Sequence, residues 1–193
     1  MDKFFANNTY VIDEKITVIE NSYAVSDSEG NAIGRIQEHV PAYRFLLSMI
    51  INKSMMPFSL TIENTGGSTL ATISRGWTFF LSKMTITNEA GDVIAYIKQK
   101  FSLLKPKFTI LDADQQVIGY IKGDWMAWDF HITDSEENEL GTISKKWNGI
   151  LKEAFTTADK YIVNINPSVA DENQRIALVS TAATIDMILK ENK

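Results

Sequence analysis

The 193-residue sequence contains no cysteine and only two histidines. The missing cysteine excludes disulfides, thiol nucleophiles, Cys-ligated zinc and palmitoylation. His39 and His131 form no HxxxH or HExxH pair, and the chain has no P-loop, GxGxxG or GxSxG motif. We therefore predict that the protein is not an enzyme and uses no metal or other cofactor.

A surplus of positive charge and long apolar runs are also missing. The net charge of −5 argues against a nucleic-acid binder, which is usually basic. The longest strongly apolar stretch, Ile176–Leu189, is shorter than the ~20 residues that span a bilayer. The N-terminus lacks the apolar region of a secretory signal. We expect a cytoplasmic protein, or one that is peripheral at the inner membrane surface.

An internal repeat organises the chain. Each copy has an apolar–x–apolar triplet, a polar turn and a second pair of apolar residues three positions apart, and in four copies an aromatic residue follows. The turns are rich in Gly, Asp, Asn and Ser, and the flanks alternate in polarity, so each copy predicts a β-hairpin. The five copies begin at Tyr23, Leu60, Met84, Phe108 and Phe130.

Two further strands, Thr9–Asp13 and Lys160–Ile165, bring the predicted total to about twelve. The C-terminal segment, a helix over about 169–190 with Ser168 as N-cap, is apolar on every side from Ile176, as in a buried helix. Twelve consecutive antiparallel strands either split into two sheets or close into a barrel, and closure removes the free edges. A twelve-stranded barrel would be hollow without a plug, and this helix is suited to fill it.

The predicted architecture is therefore mainly β. It is a single domain over 1–193, a closed antiparallel barrel of about twelve strands around a buried hydrophobic C-terminal helix. One segment, Pro41–Ile51, is consistent with either a short helix or a surface loop.

The repeat and several stretches resemble the phospholipid scramblase family, which is grouped with LURP-one-related and Tubby C-terminal-like proteins. The resemblance implies the same twelve-stranded barrel around a C-terminal helix, and a role linked to membrane lipid. The stretches that carry it are Lys98-Gln-Lys-Phe-Ser-Leu-Leu, Trp128-Asp-Phe, Gly141-Thr-Ile-Ser-Lys-Lys-Trp, Phe155–Asp159 and Ala182-Ala-Thr-Ile-Asp186.

The family's proposed calcium segment corresponds to residues Thr157–Ser168, and here the sequence departs from the pattern. Only Asp159 supplies a carboxylate, and Lys160 follows it directly. Calcium takes six to eight oxygen ligands, several of them carboxylates. We therefore predict no tight calcium binding.

The turns within hairpins and the connections between hairpins should emerge at opposite ends of such a barrel. The turns are acidic, whereas the connections hold all four tryptophans and most basic residues. The basic residues assigned to the connections are Arg75, Lys83, Lys98, Lys100, Lys105, Lys107, Lys122, Lys145, Lys146 and Lys152.

The leading hypothesis is a non-enzymatic, scramblase-like protein that associates with an anionic phospholipid membrane surface through this basic, aromatic end and assists lipid movement. Lysines near such a surface contribute about 1 kcal/mol each, and tryptophan favours the interface. The candidate lipid-binding residues are Lys98, Lys100, Phe101, Lys105, Lys107, Trp125, Trp128, Lys145, Lys146 and Trp147.

Three other interpretations remain open. The tryptophans could cap the barrel over the helix while the lysines only solvate the rim. The barrel could instead be an intracellular protein-interaction scaffold with no lipid role. A carrier for a small apolar ligand is a third interpretation, which the predicted central helix disfavours because it fills the lumen.

Overall fold

The computed structural model describes residues 2–16, 21–41, 46–47, 49–79, 81–101, 107–124, 126–145 and 160–191. These residues form twelve strands, a short 3₁₀ turn at Lys53–Met55 and one long helix. The strands are β1 (Thr9–Ile16), β2 (Asn21–Ser26), β3 (Ala32–Glu38), β4 (Phe58–Asn64), β5 (Thr69–Arg75), β6 (Lys83–Asn88), β7 (Val93–Lys100), β8 (Lys107–Asp112), β9 (Val117–Asp124), β10 (Asp129–Thr133), β11 (Glu139–Ser144) and β12 (Lys160–Ile165); the helix is α1 (Glu172–Glu191).

The twelve strands form one closed antiparallel barrel in which every strand pairs with its neighbours in sequence. Closure is completed by β1, which pairs with β2 on one side and with β12 on the other. Each copy of the repeat forms one hairpin, so the predicted fold is confirmed. Alternating residues along the strands are buried, and they join the apolar side chains of α1 in a single core.

The helix α1 fills the barrel, and its small residues Ala177, Ala182 and Ala183 are fully buried. Asp171 caps its N-terminus, because Asp171 Oδ1 accepts a hydrogen bond from the backbone N–H of Gln174 at 2.8 Å. The prediction of Ser168 as the N-cap is wrong. The backbone N–H of Ser168 instead donates to Asn166 Oδ1, in a tight turn that precedes the helix.

Every hairpin carries a register irregularity at the same position of the repeat, close to its turn. In each copy the residue that follows the bulge on the same strand, between the second pair of apolar residues, is glycine or alanine. At Gly34 a Cβ atom would lie 2.1 Å from the carbonyl oxygen of Glu63 and 2.9 Å from the Phe4 ring, so no side chain fits. The five small residues are Gly34, Ala71, Ala95, Gly119 and Gly141.

The sequential topology gives the barrel two different ends. The turn end holds the five hairpin turns at residues 27–31, 65–68, 89–92, 113–116 and 134–138. The connection end holds the links between successive hairpins, at residues 39–57, 76–82, 101–106 and 125–128. Since β12 runs toward the turn end, α1 enters the barrel there and runs toward the connection end.

The N-terminal residues close the turn end around Arg175. The Arg175 guanidinium, 4% exposed, donates to the carbonyl oxygens of Phe5 at 2.6 Å and Val169 at 2.8 Å, and also to that of Asn7. Phe4 and Phe5 are buried in the core beside these bonds. The N-terminal segment is thereby attached to the first turns of α1.

A second polar contact holds α1 near the connection end. Asp186 is buried on the helix, and one of its carboxylate oxygens accepts a hydrogen bond from the Tyr23 hydroxyl at 2.7 Å. The hydroxyl of Tyr161 is also buried and has no hydrogen-bond partner among the described residues. Burial raises the pKa of both phenols well above the ordinary tyrosine value, and the nearby Asp186 charge raises it further.

Two remaining expectations concern the connection end and the membrane. Part of Pro41–Ile51 lies outside the described residues, so the choice between helix and loop stays open there. Within the ranges that the structure describes, no helix is long and apolar enough to cross a membrane.

Candidate functional site at the connection end

The five hairpin turns concentrate acidic residues at the turn end. They contain eight acidic side chains and no lysine or arginine: Asp27, Glu29, Glu89, Asp92, Asp114, Asp134, Glu136 and Glu137. Some of these carboxylates shape the turns. The hydrogen bonds from Asn31 and Asn138 lower the pKa of Asp27 and Asp134, respectively, and neighbouring backbone N–H groups add to the effect. The turn acids therefore have a structural use in their own hairpins.

Four of the connections differ from the turns in composition. The four connections 39–57, 76–82, 101–106 and 125–128 contain no aspartate or glutamate. Large apolar side chains stand exposed on them, and Phe79 and Met126 are 76% and 97% exposed. A monomeric protein seldom leaves a large apolar patch uncovered unless the patch binds something.

Two lysines face each other where β7 and β8 meet the connection end. Lys100 and Lys107 are directly opposite in the register, and both are exposed. Neither ammonium has an ion-pair or hydrogen-bond partner among the described residues. Like charges directly opposite each other are unfavourable in a sheet, and an anion between them would relieve the repulsion. Phe101, 77% exposed, follows Lys100 at once.

Two lysines assigned to the connections have side chains that bond to hairpin turns. Lys98 and Lys122 lie on β7 and β9, and their Nζ atoms donate to Gln115 Oε1 at 2.6 Å and to Glu137 Oε1 at 2.9 Å, both in hairpin turns. Their ammonium groups are therefore bonded to residues of the turn end.

Arg75 does lie near the connection end, but it is buried. Its Nη2 donates to the carbonyl oxygen of Met56 at 2.6 Å, and its guanidinium lies 4.7 Å from the centroid of the Phe58 ring. These contacts attach connection 39–57 to the barrel wall and leave Arg75 unable to reach a ligand.

Two of the predicted site residues, Trp128 and Lys145, contact each other. The Lys145 Nζ lies 4.6 Å from the centroid of the Trp128 ring, and its backbone N–H donates to the Trp128 carbonyl. The indole is half-buried and packs on Phe130 and Tyr161 at centroid distances of 5.9 and 5.4 Å. Trp128 therefore covers part of the core, as the interpretation of a capping tryptophan expects, and carries a cation on its outer side.

The structure brings together Lys100, Phe101 and Lys107, and separately Trp128 and Lys145, but it directs Lys98 toward the turn end. The remaining candidates Lys105, Trp125, Lys146 and Trp147 lie outside the described residues.

Sequence reasoning left several exposed apolar side chains out of the candidate site. They are Met49, Ile50, Trp77, Phe79 and Met126. The sequence does place each of them in a connection that lacks acidic residues. It does not show which apolar side chains of a connection are exposed, because that depends on which ones turn inward over the barrel.

The segment that corresponds to the family's calcium region is already bonded internally. Asn164 contacts Thr9 and Thr142, and the Asn166 amide bridges Glu139 and Ser168. Residues 157–159 lie outside the described ranges. In the part of the chain that the structure describes, no group of three or more His, Asp or Glu residues is placed to hold a metal ion. Weak or absent calcium binding stays a prediction.

Comparison with known proteins gives one family and one fold relative. The family model named Scramblase matches residues 14–192. A crystal structure of a protein from Arabidopsis thaliana superposes with a TM-score of 0.54 over 96% of this chain and 92% of that chain, at 9% sequence identity. At that identity the similarity shows a common fold alone. No curated protein matches the sequence.

Proposed function

Because the chain belongs to the Scramblase family, we propose that it is a non-enzymatic protein that associates with membrane phospholipid through the connection end of the barrel. Family membership supports a lipid-related role. The observation that carries the choice of surface is the opposed pair Lys100 and Lys107, exposed beside Phe101 on an end whose neighbouring connections lack acidic residues.

Electrostatics favour an anionic headgroup at this surface. The two ammonium groups have no protein counter-charge among the described residues, so a lipid phosphate or carboxylate would be their first close anion. Lysine beside an anionic leaflet contributes about 1 kcal/mol per residue. The net charge of −5 does not oppose this, because surface fields are screened over about 10 Å and the acidic turns lie at the other end.

We centre the candidate lipid-binding set on Lys100, Phe101 and Lys107. Lys145, on Trp128, is a further cation in this proposal. Lys105, Trp125, Lys146 and Trp147 stay candidates on sequence grounds. Movement of lipid between leaflets, and location at the inner membrane surface, are parts of the proposal that become testable once binding is established.

Co-sedimentation with phosphatidylcholine vesicles, with and without phosphatidylserine, tests the proposal. We expect binding to the anionic vesicles that weakens as salt rises and does not change with calcium. The double variant Lys100→Glu/Lys107→Glu should reduce the affinity about tenfold or more, since it reverses two favourable charges.

A matched control comes from Lys98→Glu/Lys122→Glu, which changes the net charge equally but at ammonium groups bonded to the turn end. This control should bind much as the unchanged protein does. If both double variants lose binding equally, net charge and not the connection end controls association. If the unchanged protein binds no vesicle at any salt concentration, the lipid proposal fails and a protein partner becomes the better hypothesis.

A further inference from the structure

The exposed large apolar side chains are distributed unevenly over the barrel. Among the described residues, those that are more than half exposed all belong to connections between hairpins: Leu46, Met49, Ile50, Trp77, Phe79, Phe101 and Met126. We call this set the apolar tips. At the turn end the exposed large apolar residues within the described ranges are Val93 and Val117, 38% and 44% exposed.

The apolar tips come from four successive connections around the rim, and local hydrogen bonds fix some of them in place. The backbone N–H of Thr78 donates to the carbonyl of Met55 at 3.1 Å, which joins two of the connections. The Asp124 carboxylate accepts from the backbone N–H groups of Met126 and Ala127. Trp77, Phe79 and Met126 are therefore held outward by folded loops.

We propose that the apolar tips insert together into the interfacial region of a phospholipid bilayer, so that the barrel stands end-on with its hairpin turns facing away. This inference rests on the proposed function and adds an insertion step and an orientation to it. Aromatic side chains favour the bilayer interface, and lysine just behind them reaches the headgroups.

The charges at the two ends of the barrel favour an anionic bilayer as the partner of the apolar tips. The connections that carry the tips have no carboxylate, and Lys100 and Lys107 flank Phe101. The opposite end has eight acidic side chains in its turns and no basic one. An anionic surface would attract the first end and repel the second, which orients the barrel before any tip makes contact.

The absence of cysteine allows a direct test of the orientation. Met126→Cys and Ser135→Cys each give a single site for an environment-sensitive nitrobenzoxadiazole label, one at each end of the barrel. With phosphatidylserine-containing vesicles, the label at position 126 should shift to shorter wavelength and be quenched by spin-labelled lipid. The label at position 135 should do neither.

The insertion step is tested by Phe79→Ser/Phe101→Ser, which keeps every lysine. We expect the vesicle affinity that survives at high salt to fall by about tenfold to a hundredfold, because two aromatic side chains no longer leave water. Val93→Ser/Val117→Ser is the matched control at the turn end and should leave this affinity unchanged.

The outcomes separate this inference from the proposed function. Vesicle binding with no response from the label at 126, or with Phe79→Ser/Phe101→Ser unaffected, leaves phospholipid association intact and overturns insertion. Equal responses at 126 and 135 overturn the end-on orientation. If the unlabelled protein binds no vesicle, the proposed function fails and insertion fails with it.

Discussion

At the turn end, five hairpins reverse in short turns, four of which carry acidic side chains, whereas at the connection end the links differ in length and carry apolar tips. The turns have a structural duty, because each must reverse the chain within four or five residues next to a β-bulge. Three of the four connections are longer than these turns, and the lengths of the four vary from 4 to 19 residues. Binding surfaces commonly lie on such loops, held by a rigid scaffold.

The helix α1 is attached differently at the two ends. At the turn end, Arg175 donates to several backbone carbonyls of the N-terminal segment and of the residue that precedes the helix. At the connection end, Asp186 accepts from one phenol. The attachment at the turn end joins a guanidinium to backbone carbonyls, whereas the attachment at the connection end joins a carboxylate to a side-chain hydroxyl. Substitutions at each attachment, and between them, test this contrast.

A charge in the middle of α1 should destabilise the whole barrel, including both of its ends. Ala183 is fully buried in the barrel. In Ala183→Glu a carboxylate would lie in the core without a partner, which costs several kcal/mol, comparable to the ~5–15 kcal/mol stability of a whole domain. We expect cooperative thermal unfolding, followed by circular dichroism, to be lost. Ser135→Glu in an exposed turn is the control. A variant that remains monomeric and melts sharply would contradict the central position of α1.

Arg175→Ala should loosen only the turn end. It leaves the carbonyls of Phe5, Asn7 and Val169 without this donor, at about 1–3 kcal/mol for each, so we expect a loss of at least about 3 kcal/mol in the free energy of unfolding. Hydrogen exchange should quicken in the N-terminal segment and not in β2. The control Lys122→Ala removes an exposed ion pair with Glu137 and should cost under about 1 kcal/mol. A uniform increase in exchange would mean that the ends are not independent.

The barrel could be predicted because its determinants are local and repeated. The polar turn and the alternating flanks recur in five copies, and each copy independently specifies a hairpin. The predicted strand Lys160–Ile165 has the observed bounds of β12. The helix was identifiable because apolar residues cover every side from Ile176. Closure followed from the strand number and from the need to avoid free edges.

The candidate site was harder to predict, because the direction of a long side chain depends on neighbouring strands. Nothing within the repeat indicates that Lys98 bonds to Gln115, seventeen residues later. The burial of Arg75 likewise depends on the carbonyl of Met56 in another connection. Small residues such as Gly34 and Ala95 were visible at a fixed repeat position. At Gly34 the reason is the close approach of the Glu63 carbonyl oxygen on the neighbouring strand β4, which a single copy of the repeat does not reveal.

The smallest expected changes in the free energy of unfolding come from two buried tyrosines near the connection end. Tyr23→Phe removes the hydrogen bond to Asp186 and should cost about 1–3 kcal/mol. Tyr161→Phe removes a buried hydroxyl that has no partner among the described residues, so it should cost close to nothing at neutral pH. Urea unfolding of the two variants measures the difference, and equal costs would show that the Tyr23–Asp186 bond is not a specific attachment of α1.

These two tyrosines and Tyr10 should make the free energy of unfolding fall at alkaline pH. Burial raises the pKa of Tyr10 at the turn end to about 12, and it raises the pKa of Tyr23 and Tyr161 well above the usual 10. In the unfolded chain these phenols ionise near pH 10, whereas in the barrel they stay neutral. Their contribution is therefore complete below pH 10 and is lost as the pH rises from 10 toward the folded-state pKa, by up to about 1.4 kcal/mol per pH unit for each phenol. Urea unfolding between pH 9 and 11 should show this decline, and it should be shallower in each Tyr→Phe variant than in the unchanged protein. An unchanged slope in Tyr161→Phe would mean that this phenol ionises at the same pH in the folded barrel as in the unfolded chain, and so that the core near the connection end does not shield it from water.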